Sequence, residues 1–372
     1  MPPLSIMVKP VSGQCNMRCR YCFYGDVTSR RGIASYGAMS MGTLENLVRR
    51  ALAYADGQCN FAFQGGEPTL AGLPFYEKLI AWQQCYNTRG VAIQNSIQTN
   101  GYVLTDEMAN FFTQNRFLVG VSLDGMREMH DAFRLDAHGR GTFDAVQDNI
   151  ERLKRAGAAV NILCVVNRLV AKYPSQVFQA LKPYGFIQFI ACLDNFENEK
   201  TDSSLDAALY GNFLVGMFGQ YYEAYFSGHY VSIRAFDNYI GMLLDHPPEM
   251  CSMNGRCGVY YLIEADGGVY PCDFYALDHY RMGNINDDSF YWLEKSPVGV
   301  DFRRASHDVD ERCKTCRWYA LCRGGCRRDR EPKIAGELSI NQWCASYQYF
   351  FTACYAQMVE ISADIRRIAG HA

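Results

Sequence analysis

Three cysteines fall within eight residues, Cys15-Asn-Met-Arg-Cys19-Arg-Tyr-Cys22, after a short apolar run (Leu4 to Val8) and before Phe23-Tyr24. A cubic iron–sulfur cluster needs four ligands; a tight loop with spacings of three and two supplies three, leaving one iron open to a small molecule. That is the arrangement of a reacting metal site. Structural zinc takes all four ligands from the protein and pairs its cysteines two to four residues apart, so an isolated trio suits it poorly. Zinc and chance spacing are the competing readings.

A second group reads Cys251-x5-Cys257, Cys272, Cys313-x2-Cys316-x5-Cys322-x3-Cys326 and Cys344, eight of the 16 cysteines. Eight thiolates can fully ligate two further 4Fe-4S clusters. Two structural zinc sites compete, because Cys313-x2-Cys316 alone suits a zinc ribbon. Arg312, Lys314, Arg317, Arg323, Arg327, Arg328 and Arg330 crowd this region, and cationic neighbours stabilise anionic thiolate-ligated clusters. As a nucleic-acid patch these residues lack interleaved aromatics on one face. Cys59, Cys85, Cys164, Cys192 and Cys354 are scattered in apolar surroundings and read as core.

The chain has 372 residues, 49% of them hydrophobic, enough for one large core and a smaller partner domain. Net charge is -3, from 36 basic against 39 acidic residues, which gives no reason to expect nucleic acid or membrane as a partner. The start lacks a basic segment, a long apolar core and a cleavage site, and no later stretch approaches 18 apolar residues. A cytoplasmic protein is expected. Thiols stay reduced there, so the cysteines read as ligands rather than disulfides. Exposed clusters would further call for an anaerobic setting.

Strand-like runs alternate with amphipathic helices through the first half, the pattern of a parallel β/α architecture. The expected strands are Ile6 to Lys9, Asn60 to Gln64, Ala92 to Ile97, Phe117 to Ser122, Val160 to Val165 and Phe186 to Ile190. Helices are expected at Met41 to Ala55, Pro74 to Tyr86, Asp106 to Thr113, Thr142 to a stop at Gly157, Ser175 to Leu181 and Leu205 to Phe226. Six units predict a partial, open-sided (β/α)6 barrel over 1–227. Beyond it, 228–372 reads as a small cysteine-rich α+β domain with a C-terminal helix. Gly65-Gly66-Glu67-Pro68, Gln98-Thr99-Asn100 and Ser122-Leu123-Asp124 each follow a strand, and strand C-termini form the catalytic face of parallel barrels.

The cysteine loop, with an aromatic before its last cysteine, resembles the signature of radical S-adenosylmethionine (SAM) enzymes, and the run from Cys313 to Cys326 resembles their SPASM domain. This implies three 4Fe-4S clusters. Cys15, Cys19 and Cys22 would hold the SAM-binding cluster; Cys251, Cys257, Cys272 and Cys326 the first auxiliary one; Cys313, Cys316, Cys322 and Cys344 the second. Gly65, Gly66 and Glu67 resemble the family's GGEP motif, which holds the methionine amine of SAM. Tyr21, Ser122, Arg134 and Leu193 match further SAM contacts in type.

Over essentially the whole chain the sequence is similar to anaerobic sulfatase-maturating enzymes, through Lys9-Pro10, Phe63-Gln64-Gly65-Gly66-Glu67-Pro68-Thr69-Leu70, Gln98-Thr99-Asn100-Gly101, Asn161-Ile162-Leu163-Cys164-Val165-Val166 and Tyr270-Pro271-Cys272-Asp273-Phe274-Tyr275. The resemblance implies oxidation of a cysteine or serine in a sulfatase peptide, of Cys/Ser-x-Pro/Ala-x-Arg type, to Cα-formylglycine. A 5′-deoxyadenosyl radical would take hydrogen from Cβ, Asp273 would accept the thiol or hydroxyl proton, and an auxiliary cluster would take the second electron. Tyr24, Gln64 and Arg234 are candidates for holding the peptide. An external electron donor such as flavodoxin or ferredoxin is implied.

The main rival is a SPASM-type maturase forming a thioether or carbon–carbon crosslink in another peptide. Such enzymes often carry a leader-recognition domain, for which a chain beginning at the barrel leaves no room. A multi-cluster electron carrier is a third reading. It would need every cluster fully ligated, which the lone trio does not provide.

Overall fold

The computed structural model describes residues 2–197, 199–331 and 338–370. Along the chain run β1 (Leu4–Val8), α1 (Phe23–Ser29), α2 (Met41–Tyr54), β2 (Gln58–Phe63), α3 (Leu73–Tyr86), β3 (Ala92–Thr99), α4 (Asp106–Gln114) and β4 (Leu118–Ser122). Then come α5 (Arg127–Phe133), α6 (Phe143–Ala156), β5 (Ala159–Val166), α7 (Pro174–Leu181), β6 (Phe186–Ala191), α8 (Ala207–Phe226), β7 (Ser232–Ile233) and α9 (Arg234–Leu243). The remainder holds β8 (Tyr261–Ile263), β9 (Gly268–Tyr270), β10 (Gly283–Asn284), α10 (Phe290–Glu294), α11 (Pro297–Ala305), α12 (Glu311–Lys314), α13 (Tyr319–Cys322), α14 (Arg327–Arg330) and α15 (Cys344–Ala369). The six expected strands form within two residues at either end. The short helices α1 and α5 were not expected; seven residues are too few to show a helical period.

The chain divides into two compact units. Unit 1 comprises residues up to Ser122, Arg134–Val160 and Val259–Arg304; unit 2 comprises Leu123–Phe133, Asn161–Gly258 and the chain from Ala305. In unit 1, β1 pairs in parallel with β2, Leu4 opposite Cys59 and Val8 opposite Phe63, and on its other edge with β8, Ile6 opposite Tyr261. β3 and β4 continue the sheet in parallel beyond β2, while β9 and β10 extend it antiparallel from β8. Leu4, Ile6 and Val8 are buried and Ser5 is exposed, so a slip of one residue would turn Ser5 inward.

Helices cover this sheet for reasons visible in their sequences. Ser40 caps α2 by accepting from the Thr43 N–H at 3.0 Å, and Leu44, Leu47, Val48, Ala51 and Leu52 form its buried stripe. Phe63, Tyr76, Phe112 and Phe117 interlock, with centroids 5.4 Å (Phe63–Tyr76), 5.5 Å (Tyr76–Phe112) and 5.1 Å (Phe112–Phe117) apart. Asn286, just past β10, ties back to α2: its side chain accepts from Asn46 at 3.2 Å and its carbonyl from Arg50 at 2.8 Å.

In unit 2, β5, β6 and β7 pair in parallel, with Ile162 opposite Ile187 and Phe186 opposite Ser232. α15 buries Phe350, Cys354, Met358 and Ile361, a stripe at spacings of four, four and three. That stripe meets α8 and α9, where the Phe218 ring lies 5.0 Å from Phe236 and 5.7 Å from Phe350. Among the described residues no helix is long and apolar enough to cross a membrane.

Candidate active site

The cysteine loop lies directly on the glycine-rich loop that follows β2. Gly66 donates its N–H to the Ser12 carbonyl at 2.8 Å and Glu67 to the Gln14 carbonyl at 2.7 Å. Backbone meets backbone so closely that a Cβ on Gly66 would sit 1.8 Å from the Gln14 oxygen. Only glycine permits that approach. Cys22 directly precedes α1, and its carbonyl accepts from the Gly25 N–H at 3.1 Å.

Glu67 is buried at 1% exposure and accepts four hydrogen bonds. Oε1 takes the Thr69 N–H (3.0 Å) and the hydroxyls of Thr69 (2.7 Å) and Thr99 (2.8 Å); Oε2 takes the Asn100 N–H (2.7 Å). Burial pushes its carboxyl up while these donors oppose the shift. The Asn100 amide continues to Asn16 Oδ1 (2.8 Å) and Cys15 Sγ (3.6 Å). Burial also raises the Cys15 thiol, with the Met17 N–H lowering it and the charges of Glu67 and Cys22 raising it further. Thr99 and Asn100 thus join the cysteine loop to Glu67. The sequence flagged their motif but gave them no role.

Asp273 is partly buried, and the cation at its carboxylate is Lys9, whose side chain is fully buried. The Lys9 ammonium lies 3.8 Å from the centroid of the Tyr24 ring. Tyr24, expected to face peptide, is 3% exposed, and its hydroxyl donates to Glu264. Arg31 donates to the same Glu264 oxygen at 2.6 Å, both side chains having no exposure. Burial, with the Glu264 charge beside it, pushes the Tyr24 phenol far above its usual value, so it remains a donor. Lys9, Arg31 and Glu264 were all missed. A lysine closing an apolar strand was the available signal for the first; the other two lie 233 residues apart in sequence and carried none.

Arg134 is buried, its guanidinium 5.4 Å from the Tyr21 ring centroid. Its position is fixed from the next turn. Asp136 accepts from the His138 and Arg140 N–H groups at 2.8 and 2.9 Å, its backbone bridges Met17, and the Leu135 carbonyl accepts from the Arg18 N–H at 2.7 Å. Ser122 accepts from the Gln98 amide at 3.2 Å, and Gln64, at the end of β2, bonds the Val8 carbonyl through its N–H at 3.0 Å. Unit 2 holds Leu193, just past β6, and Arg234, which opens α9 exposed and donates to Gln188 at 3.2 Å.

In unit 2, Cys313, Cys316, Cys322 and Cys344 line one cavity of about 410 Å³. Burial and the charge of neighbouring thiols raise Cys313, Cys322 and Cys344, Cys322 to about 11. Cys251, Cys257 and Cys326 form a second group, in which burial raises the Cys326 thiol and the charges of Asp329, Cys251 and Cys257 add to it. Gly255 brings them together, since a Cβ there would sit 2.1 Å from the Arg323 carbonyl oxygen. Burial raises the Cys257 thiol, opposed by its hydrogen bond with Ser306 and the charges of Arg327 and Arg330, and Arg330 also ties the frame by donating to the carbonyls of Asp308, Gly255 and Ser306. Cys272, the eighth, follows β9 in unit 1.

Among the described residues no three cysteine, histidine or carboxylate side chains converge on the point a single ion would occupy. Four thiols lining one cavity, with the Arg312 guanidinium beside them, are a donor set that an iron–sulfur group would take as thiolates.

Residues 10–171 match the model of the Radical SAM superfamily, and 251–317 that of the SPASM iron–sulfur cluster-binding domain. The sequence is 44% identical to the cysteine-type anaerobic sulfatase-maturating enzyme of Clostridium novyi over 98% of this chain and 99% of that one. The chain belongs to the anaerobic sulfatase-maturating enzymes. A serine-type member from Bacteroides thetaiotaomicron is 31% identical, over 94% of this chain and 89% of its own. A solved structure described as native anSMEcpe with bound AdoMet and Cp18Cys peptide has a TM-score of 0.94 at 42% identity, covering 98% of this chain and 100% of that one. The architecture of this sulfatase-maturating chain is accordingly a radical SAM domain with a SPASM domain, and its cofactors are iron–sulfur clusters and SAM.

Proposed function

We propose that this chain oxidises a cysteine in a sulfatase peptide to Cα-formylglycine. One observation carries the reading: the cysteine loop lies backbone to backbone on the Gly65–Gly66–Glu67 loop, in a chain matched end to end by cysteine-type enzymes. Cysteine is favoured over serine because identity is 42 to 44% to cysteine-type and 29 to 31% to serine-type members.

Cys15, Cys19 and Cys22 hold the cluster that binds SAM, and the eight later cysteines hold two auxiliary clusters. When bound, these groups supply a 5′-deoxyadenosyl radical for the Cβ hydrogen and a sink for the second electron. Tyr21, Gly65, Gly66, Glu67, Ser122 and Arg134 shape the SAM site from unit 1. Asp273 Oδ2 receives the thiol proton, and Gln64 meets the peptide backbone. Residues 1–227 carry the radical chemistry and 228–372 the auxiliary clusters, with a flavodoxin or ferredoxin as electron donor.

Anaerobic incubation of the reconstituted enzyme with SAM and dithionite is expected to release 5′-deoxyadenosine. A fully loaded sample that releases none contradicts the proposal.

A further inference from the structure

We infer that Lys9 is a positioning residue for the proton-accepting step, its ammonium holding one oxygen of Asp273 so that the other faces the substrate. The inference rests on Asp273 being the base. Lysine is almost never fully buried unless paired, and the Lys9 side chain has no exposure. Its ammonium is ion-paired with Asp273 Oδ1 and lies 3.8 Å from the Tyr24 and 5.8 Å from the Phe23 ring centroids.

The stem is clamped as firmly as the head. A Cβ on Gly65 would come within 3.0 Å of Lys9 Cδ and 3.3 Å of its Cβ, so the methylenes run directly against the glycine loop. The backbone is pinned to β8, with the Lys9 N–H on the Ile263 carbonyl at 2.8 Å. Across from it, Phe274, the neighbour of Asp273, packs edge-on against Phe23 at 5.0 Å. Lys9 is therefore a fixed point to which the glycine loop, the residues after Cys22 and Asp273 are all referred.

A compact ammonium, unlike a two-pronged guanidinium, engages one carboxylate oxygen and leaves its partner available. In the reaction the S–H bond of the substrate radical breaks and an O–H bond forms at Asp273 Oδ2. The S–H electron pair stays on sulfur and becomes part of the C=S bond as the unpaired electron goes to a one-electron acceptor of the iron–sulfur class, and the thioaldehyde then takes up water and releases sulfide to give formylglycine. Misdirecting Oδ2 would let the substrate radical form without going on to product.

The test uses reconstituted holoenzyme with SAM, dithionite and a Cys-x-Pro-x-Arg peptide, reading formylglycine formed per 5′-deoxyadenosine released. Lys9→Met is expected to lower that ratio roughly tenfold or more, and Lys9→Arg to lower it less. Asp273→Asn is expected to lower it too, and the Lys9→Met/Asp273→Asn double variant to fall no further. The double variant is also expected to melt above Asp273→Asn, which strands a buried ammonium. A wild-type ratio in Lys9→Met and Lys9→Arg, or product and 5′-deoxyadenosine falling together, overturns the role of Lys9 while Asp273→Asn still uncouples. A wild-type ratio in Asp273→Asn overturns the base assignment instead. Asp273→Asn melting at or above the double variant shows that the ammonium is not held by Asp273 and equally overturns the inference.

Discussion

Glu264 accepts from both Arg31 and Tyr24, and neither partner in the ion pair has any side-chain exposure. Removing one member of a buried pair leaves the other charge uncompensated. Glu264→Gln is therefore expected to destabilise the fold by about 3–5 kcal/mol, measured by denaturant unfolding of the holoenzyme. A loss under 1 kcal/mol would show that Arg31 finds another partner or water. Such pairs are where sequence reading stops. The motifs of Cys15, Cys19, Cys22 and Glu67 are local spacings that stand out along the chain, while Arg31 and Glu264 are ordinary charges until the fold brings them together.

Loops and helices carry their own consequences. Gly66→Ala must push the Ser12–Gln14 backbone away, and the cysteine loop continues from that backbone. The variant is expected to lose SAM affinity by tenfold or more, about 1.4 kcal/mol or above, measured on reconstituted protein. Unchanged SAM affinity would separate the glycine loop from the SAM site.

The Asp237 carboxylate, on α9, takes hydrogen bonds from the Tyr221 (2.9 Å) and Tyr230 (2.8 Å) hydroxyls and from Ser232. Burial nevertheless raises its pKa above the ordinary 3.8. The folded state then binds the proton more tightly than the unfolded one, so this contribution to stability is complete below the ordinary value and is lost as pH rises through the raised one. Asp237→Asn is expected to flatten that part of the pH–stability curve. An unchanged slope would place the titration elsewhere. Strands and long helices were legible from their periods; α1 and α5 were too short, and the β1–β8 pairing joins segments about 250 residues apart with no local mark.

The two compact units are not consecutive stretches of chain, because Val259–Arg304 folds with β1 while the chain on either side of it belongs to unit 2. Texture along the sequence shows where βα alternation gives way to dense cysteine, yet it cannot show which strands a later segment will join. Family membership follows from likeness over nearly the full length. The most direct measurement is a mass spectrum of a Cys-x-Pro-x-Arg peptide after anaerobic turnover with SAM and reductant. The expected result is an aldehyde in place of the cysteine thiol, trapped by hydrazine. A peptide carrying an intramolecular thioether or carbon–carbon crosslink and no aldehyde would contradict the account.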